Sequence, residues 1–238
     1  MSSSPTWPLF EKTPTVAFLD VDGTLLAHTT SYMFARILAK RGMLRRSVLL
    51  RAVFYGFQHR LGRLDYGRLI EGGLDCLRHI PLVELERIAY ENFAEFVKPR
   101  LFEGVVDHLN ELRQKGTSIV LVSSSPGFVI EPLGLYLGCK GTITTPVIIE
   151  KGRLAERGEG PPCYGDGKLY WVERWLEPYG VSLDDCVAYA DNWSDRALLK
   201  KAGQAVVVNP KGRLLRLARE RGWFIARPRR PLKTRRKG

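Results

Sequence analysis

The sequence predicts an α/β fold: a parallel sheet with helices on both faces, and an all-helical segment inserted after the first strand. Three observations predict it. Short apolar, mostly β-branched runs lie at residues 16–19, 118–122, 187–190 and 205–208, each bounded by turn or polar residues. Helical patterns separate the later runs, and strands alternating with helices need a sheet covered on both sides. Residues from about 29 to 100 break that alternation and read as helix throughout.

The elements follow in order. After the run at 16–19, helical patterns cover 32–41, 45–59, 66–77 and 82–97, and Pro99 closes the segment. An all-helical insert at this point suggests a cap over the site, which excludes water and selects substrate. Residues 105–115 place apolar side chains at 105, 106, 109 and 112, with Gly116 as a stop. Val147-Ile148-Ile149 and Arg153-Leu154 flank Lys151-Gly152, the pattern of a hairpin within 142–155. Residues 169–176 and 193–201 are again helical. From 227 to 238 the chain has two prolines, many cations and almost nothing apolar, so a disordered basic tail is the expectation.

Composition sets the class. With 238 residues, 45% hydrophobic and 26% charged, the chain suits a soluble domain with one sizeable core and a small second unit. It has no apolar run long enough to span a bilayer. The opening Met-Ser-Ser-Ser-Pro-Thr-Trp-Pro lacks the charged head and apolar stretch of a secretory signal. The four cysteines (76, 139, 163, 186) lie far apart with no metal-type spacing, as expected of reduced thiols. A cytoplasmic location is therefore the expectation. The net charge of +12 is concentrated: residues 211–238 hold 12 Lys/Arg against one acid, Glu220, and residues 36–63 hold eight against none.

Chemistry enters at the strand ends, where open parallel sheets place their ligands. The first strand runs into Asp20-Val21-Asp22-Gly23-Thr24. A strand sends alternate side chains to one face, so Asp20 and Asp22 start out together. Like charges that close need a cation between them or a shared proton. The second strand ends in Ser123-Ser124-Ser125, and the third in Asp191, with Asp195 four residues on. Lys168 follows Gly165-Asp166-Gly167. Each has an ordinary reading alone: a turn, a helix cap, a solvated lysine. Their order and strand-end placement are the signal.

These residues resemble the four motifs of the haloacid dehalogenase (HAD) superfamily, mostly Mg²⁺-dependent phosphohydrolases working through an aspartyl-phosphate. The resemblance implies a Rossmann-like three-layer core with a parallel sheet (1–28 and 101–226) and an α-helical type 1 cap (29–100). Gly165-Asp166-Gly167-Lys168, Tyr189-Ala190-Asp191-Asn192-Trp193-Ser194-Asp195 and Val207-Val208-Asn209-Pro210 look like the phosphoserine phosphatase-like branch, subfamily IB. It further implies Asp20 as nucleophile and Asp22 as acid and base. Ser123, the Ser124 backbone N–H and Lys168 would hold the phosphate. Asp20, Asp22 and Asp191 would hold Mg²⁺, with Asp195 and Asn192 behind them. One position departs: the branch's phosphoserine phosphatases carry a Glu nine residues after the nucleophile to grip the substrate amine, and here it is Thr29. A substrate other than phosphoserine is the expectation.

The expected partner is a phosphorylated small molecule or lipid. The basic stretch 36–63, interleaved with Leu44, Val48, Phe54 and Phe57, reads first as a cap helix with solvated charges. Weak contact with anionic membrane through the basic segments, and hence a peripheral lipid-phosphate phosphatase, is an open alternative. A polyanion-binding protein with a vestigial site is another. Specific nucleic-acid recognition is not expected, because no aromatic residue follows Phe224 to stack on bases.

Overall fold

The computed structural model describes residues 7–44, 66–229 and 231. The expected helix at 45–59, most of the basic stretch 36–63 and all of the tail beyond 229 except residue 231 lie outside them. In chain order the elements are β1 (Val16–Asp20), α1 (Thr30–Lys40), α2 (Tyr66–Asp75), α3 (Leu82–Asn92), α4 (Glu103–Gln114), β2 (Ser118–Pro126), α5 (Gly127–Tyr136) and β3 (Gly141–Thr145). Then come β4 (Val147–Glu150), β5 (Arg153–Arg157), α6 (Asp166–Leu176), β6 (Cys186–Ala190), α7 (Arg196–Lys201), β7 (Gln204–Val208), α8 (Gly212–Glu220) and β8 (Phe224–Ala226).

Six strands form one parallel sheet in the order β3-β2-β1-β6-β7-β8. The alternation of each strand divides the core into two layers. Ala17, Leu19, Ile119, Leu121, Val187 and Tyr189 pack with α4 and α5. Phe18, Val120, Val122, Ala188 and Val207 face the other way, against α6, α7 and α8. Each Val, Leu, Ile or Phe fully buried there contributes about 1.5–3 kcal/mol. The chain order reverses between β1 and β6, so the crevice beyond their carboxyl ends is the sheet's switch point.

The fold is thus the expected α/β core with a helical cap, and all four expected strands are present. β3 and β8 were not foreseen. β3 is Gly- and Thr-rich, and β8 is a three-residue edge strand. α5 was also not foreseen. Its sequence opens on Gly127 and contains Pro132; Ile130 and Leu133 pack on the sheet and Phe128 on the insert, while Glu131, Leu135 and Tyr136 are exposed. The expected helix at 82–97 ends at Asn92 and continues as one wider i→i+5 turn, Phe93–Val97.

The expected hairpin is β4–β5, turning at Lys151 and Gly152, whose φ angles are 50° and 72°. Gly152 takes this left-handed geometry without a Cβ penalty. The hairpin packs into the helical insert. Leu154 lies in the same cluster as Phe34, Leu38, Leu85 and Ile88, together with Phe128 of α5. The Leu82 N–H donates to the Gly152 carbonyl at 2.8 Å, and the Arg153 guanidinium donates to the His79 carbonyl. The insert is therefore fastened to the core chain at α5 and at the hairpin as well as through its own two connections. No helix among the described residues is long and apolar enough to cross a membrane.

Candidate active site

The carboxyl ends of β1 and β6 bring the acidic residues together. β1 ends at Asp20, and the chain turns immediately: the Gly23 N–H donates to the Leu26 carbonyl, and the Leu25 and Leu26 N–H groups return to the Val21 carbonyl. Gly23 holds φ +92°, and a Cβ there would collide with the Asp191 carboxylate. Only glycine lets the loop after β1 and the loop after β6 approach this closely.

Asp20 is 9% exposed, and donors hold both of its oxygens. The Lys168 ammonium lies 2.5 Å from Oδ1, and the Thr24 hydroxyl donates to Oδ2 at 2.9 Å. Lys168 is in the first turn of α6, where side chains lean back toward the helix start and so toward the sheet edge. Its ammonium also donates to Asp195 Oδ2 at 2.9 Å. Asp195 is buried and accepts from the Ser194 hydroxyl at 3.0 Å. One cation thus bridges residues 20 and 195, brought together by the fold.

Asp22 is gripped from the insert. The Thr30 N–H, at the start of α1, donates to its Oδ1 at 2.9 Å, and the Thr30 hydroxyl to its Oδ2 at 3.2 Å. The carboxylate thus caps a helix N-terminus, a favourable place for negative charge. Ser123 is buried in β2, one residue past the Val122 that pairs with Asp20, and its oxygen accepts from the Ser125 N–H at 3.2 Å. That leaves the Ser123 proton free to be donated. The Ser124 carbonyl is held by the Thr145 hydroxyl at 2.8 Å. Asn192 is exposed, and its side-chain oxygen accepts from the Ser194 N–H at 3.1 Å in the turn leading to Asp195.

The electrostatics are unbalanced. Four carboxylates share one lysine. Burial raises Asp20, and Lys168 only partly offsets it. Burial, then the charge on Asp20, pushes Asp22 up to about 7. The same two causes push Asp191 up to about 8. Burial alone would lower Lys168, but Asp195 and Asp20 outweigh it and hold the ammonium well above its ordinary value. Crowded carboxylates that resist ionising together fit a site built to receive a cation. No three His, Cys, Asp or Glu side chains among the described residues form a ready-made metal cage. A hard ion that keeps most of its waters needs only one or two carboxylates.

A cavity of about 210 Å³ lies elsewhere, between the N-terminal segment and α4, against Trp7, His108 and Lys115. It holds none of the clustered carboxylates, so chemistry and not volume identifies the site. Sequence reasoning missed the roles of Thr24, Thr30 and Ser125. The hydroxyl-rich run Thr29-Thr30-Ser31 beside a helix start was the available signal.

Fold and site together define an α/β enzyme with a buried carboxylate–lysine cluster at the switch point of a parallel sheet that carries a helical cap. The chain belongs to the family of haloacid dehalogenase-like hydrolases, which residues 17–200 match. A probable phosphatase of Mycobacterium tuberculosis is 28% identical over 230 residues, spanning 93% of this chain and 78% of that protein. A phosphoserine phosphatase of the same organism is 28% identical over 213 residues, spanning 88% and 69%. A crystal structure of a protein with unknown function from Bordetella pertussis has a TM-score of 0.82 at 28% identity, over 90% of this chain and 98% of that one. Within the family the chain is phosphoserine phosphatase-like.

Proposed function

We propose that the protein is a Mg²⁺-dependent phosphomonoester hydrolase acting through an aspartyl-phosphate. The observation that carries this reading is the single buried lysine shared by Asp20 and Asp195, with Asp22 and Asp191 crowded beside it. An Asp20 carboxylate oxygen bonds to phosphorus as the bond from phosphorus to the leaving oxygen breaks. Asp22 gives its proton to that oxygen. In the second step Asp22 takes a proton from water, the water oxygen bonds to phosphorus, and the bond to Asp20 breaks. The Ser123 hydroxyl and the Ser124 N–H hold phosphoryl oxygens, and Lys168 offsets the charge on nucleophile and phosphate together. Asp20, Asp22 and Asp191 would hold the Mg²⁺, with Asp195 and Asn192 shaping the surrounding loop. The ion, when bound, supplies positive charge against the phosphoryl oxygens. The helical insert would cover the site and select the leaving group.

Phosphoserine is not the proposed substrate. Thr29, at the position where the branch's phosphoserine phosphatases carry a Glu, is exposed just before α1 and offers no charge to an ammonium group. The test is a panel of phosphomonoesters with purified protein: phosphoserine, sugar phosphates, aryl phosphates and detergent-dispersed lipid phosphates. Phosphate release from at least one member other than phosphoserine is expected, falling at least about tenfold when Mg²⁺ is chelated or replaced by Ca²⁺. No turnover across the panel would sink the reading, and preference for phosphoserine would sink the substrate claim.

A further inference from the structure

Three hydroxyls lie beside Asp22 that the mechanism above does not use. Thr30 Oγ1 is 2.8 Å from Ser125 Oγ, and Ser31 Oγ is 2.7 Å from the same atom. Thr30 and Ser125 are 3% and 2% exposed, so water does not serve them freely. We propose that Ser31, Ser125 and Thr30 form a directed hydroxyl chain that positions the Asp22 carboxylate, with Ser125 as its hub.

The direction follows from counting protons. A hydroxyl has one proton to give, and a carboxylate only accepts. With Asp22 ionised, Thr30 gives its proton to Asp22 Oδ2, so toward Ser125 it must accept. Ser125 therefore donates to Thr30, and its proton is spent. Ser31 must then donate to Ser125. Every bond runs toward Asp22.

Ser125 has a second connection. Its backbone N–H donates to Ser123 Oγ. One residue thus ties the carboxylate that serves the leaving group to the hydroxyl that grips the phosphate. The chain also crosses a boundary: Thr30 and Ser31 belong to the first turn of α1, in the insert, while Ser125 belongs to β2. It is complete only with α1 seated on the sheet edge. These are positioning residues, acting through Asp22 and not on the substrate.

The inference rests on Asp22 protonating the leaving group, as proposed above. A misplaced acid matters most where the departing oxygen is a poor leaving group, and little where its anion is already stable. The test compares kcat and KM of Ser125→Ala, Thr30→Val and Thr30→Ser on phenyl phosphate and p-nitrophenyl phosphate, with melting temperatures as the control for folding. Ser125→Ala and Thr30→Val are expected to lose about tenfold or more in kcat on phenyl phosphate and under about threefold on p-nitrophenyl phosphate. KM should stay within about twofold, because Ser125→Ala keeps the backbone bond to Ser123. Thr30→Ser keeps the hydroxyl and should restore the wild-type ratio. Equal losses on both esters, or no loss, overturn the chain while leaving the phosphatase reading intact. A wild-type protein that hydrolyses neither ester, nor any member of the panel above, overturns both.

Discussion

Two buried polar clusters hang from one strand, and they respond to burial in opposite ways. β6 ends at Ala190, followed by Asp191 in the carboxylate cluster; Tyr189, inside the strand, lies in the core layer of α4 and α5. There its hydroxyl lies 2.8 Å from His108 Nε2, and the Trp7 ring stacks on the imidazole at 4.4 Å. The first cluster keeps charge inside the protein because Lys168 bridges two of its members, and a surplus of carboxylates remains. The second holds no charge. Burial, helped by Lys115, lowers His108 to about 4, and burial raises Tyr189 well above its ordinary value. A buried polar group is therefore not in itself a sign of function. A surplus of one charge is, because it calls for something the protein does not contain.

The largest expected effect breaks the charged cluster at Asp20, the proposed nucleophile. Asp20→Asn should lower kcat by at least about a thousandfold while far-UV circular dichroism stays unchanged. Wild-type rates in this variant would refute the nucleophile assignment. Lys168→Met comes next and tests whether the bridge stabilises as well as catalyses. Removing one partner of a buried pair leaves carboxylates uncompensated, at a cost of about 3–5 kcal/mol. Urea unfolding would measure it. Unchanged stability would mean that the two carboxylates do not depend on this ammonium.

Gly23→Ala sharpens the comparison without touching a charge. The added methyl meets the Asp191 carboxylate and is strained at φ +92°. Forcing the loops after β1 and β6 apart should lower kcat by about a hundredfold. The same substitution at Gly42, also at positive φ but with open space around its Cβ position, should leave kcat unchanged. Equal effects at the two glycines would show that backbone strain, and not the approach to Asp191, is responsible.

The sequence made the charged cluster legible and the neutral one invisible, for a physical reason. Carboxylates at the ends of apolar runs are costly anywhere but in a ligand site, so Asp20, Asp22 and Asp191 announce themselves by position. Lys168 and Asp195 needed the order of all four segments. Thr30 and Ser125 were unreadable, since which hydroxyls meet depends on how α1 seats against β2. Likewise α5 hid behind Gly127 and Pro132, and β8 behind its three-residue length. His108 falls inside the helical pattern 105–115 without a reading of its own, because nothing in the sequence shows that Tyr189 and Trp7 enclose it.

The smallest effect on activity should come from the neutral cluster, where the readout is stability. Tyr189→Phe leaves His108 Nε2 without its partner in a buried place, costing about 1–3 kcal/mol. Turnover should stay within about twofold, because no reacting group contacts that hydroxyl. The pH dependence separates this cluster further from the site. His108 is lowered in the folded protein, from about 6.5 to about 4, so between those values the unfolded chain binds more protons than the folded one. Its contribution is present in full above pH 6.5, is lost as the pH falls toward about 4, and changes no further below. His108→Phe should flatten that part of the curve of unfolding free energy against pH, while the Asp20→Asn protein keeps it. The raised carboxylates bind more protons folded than unfolded and so cannot supply this slope. If the Asp20→Asn protein loses it as fully as the His108→Phe protein does, the two clusters are not independent, and the division between a charged cluster and a neutral structural one fails.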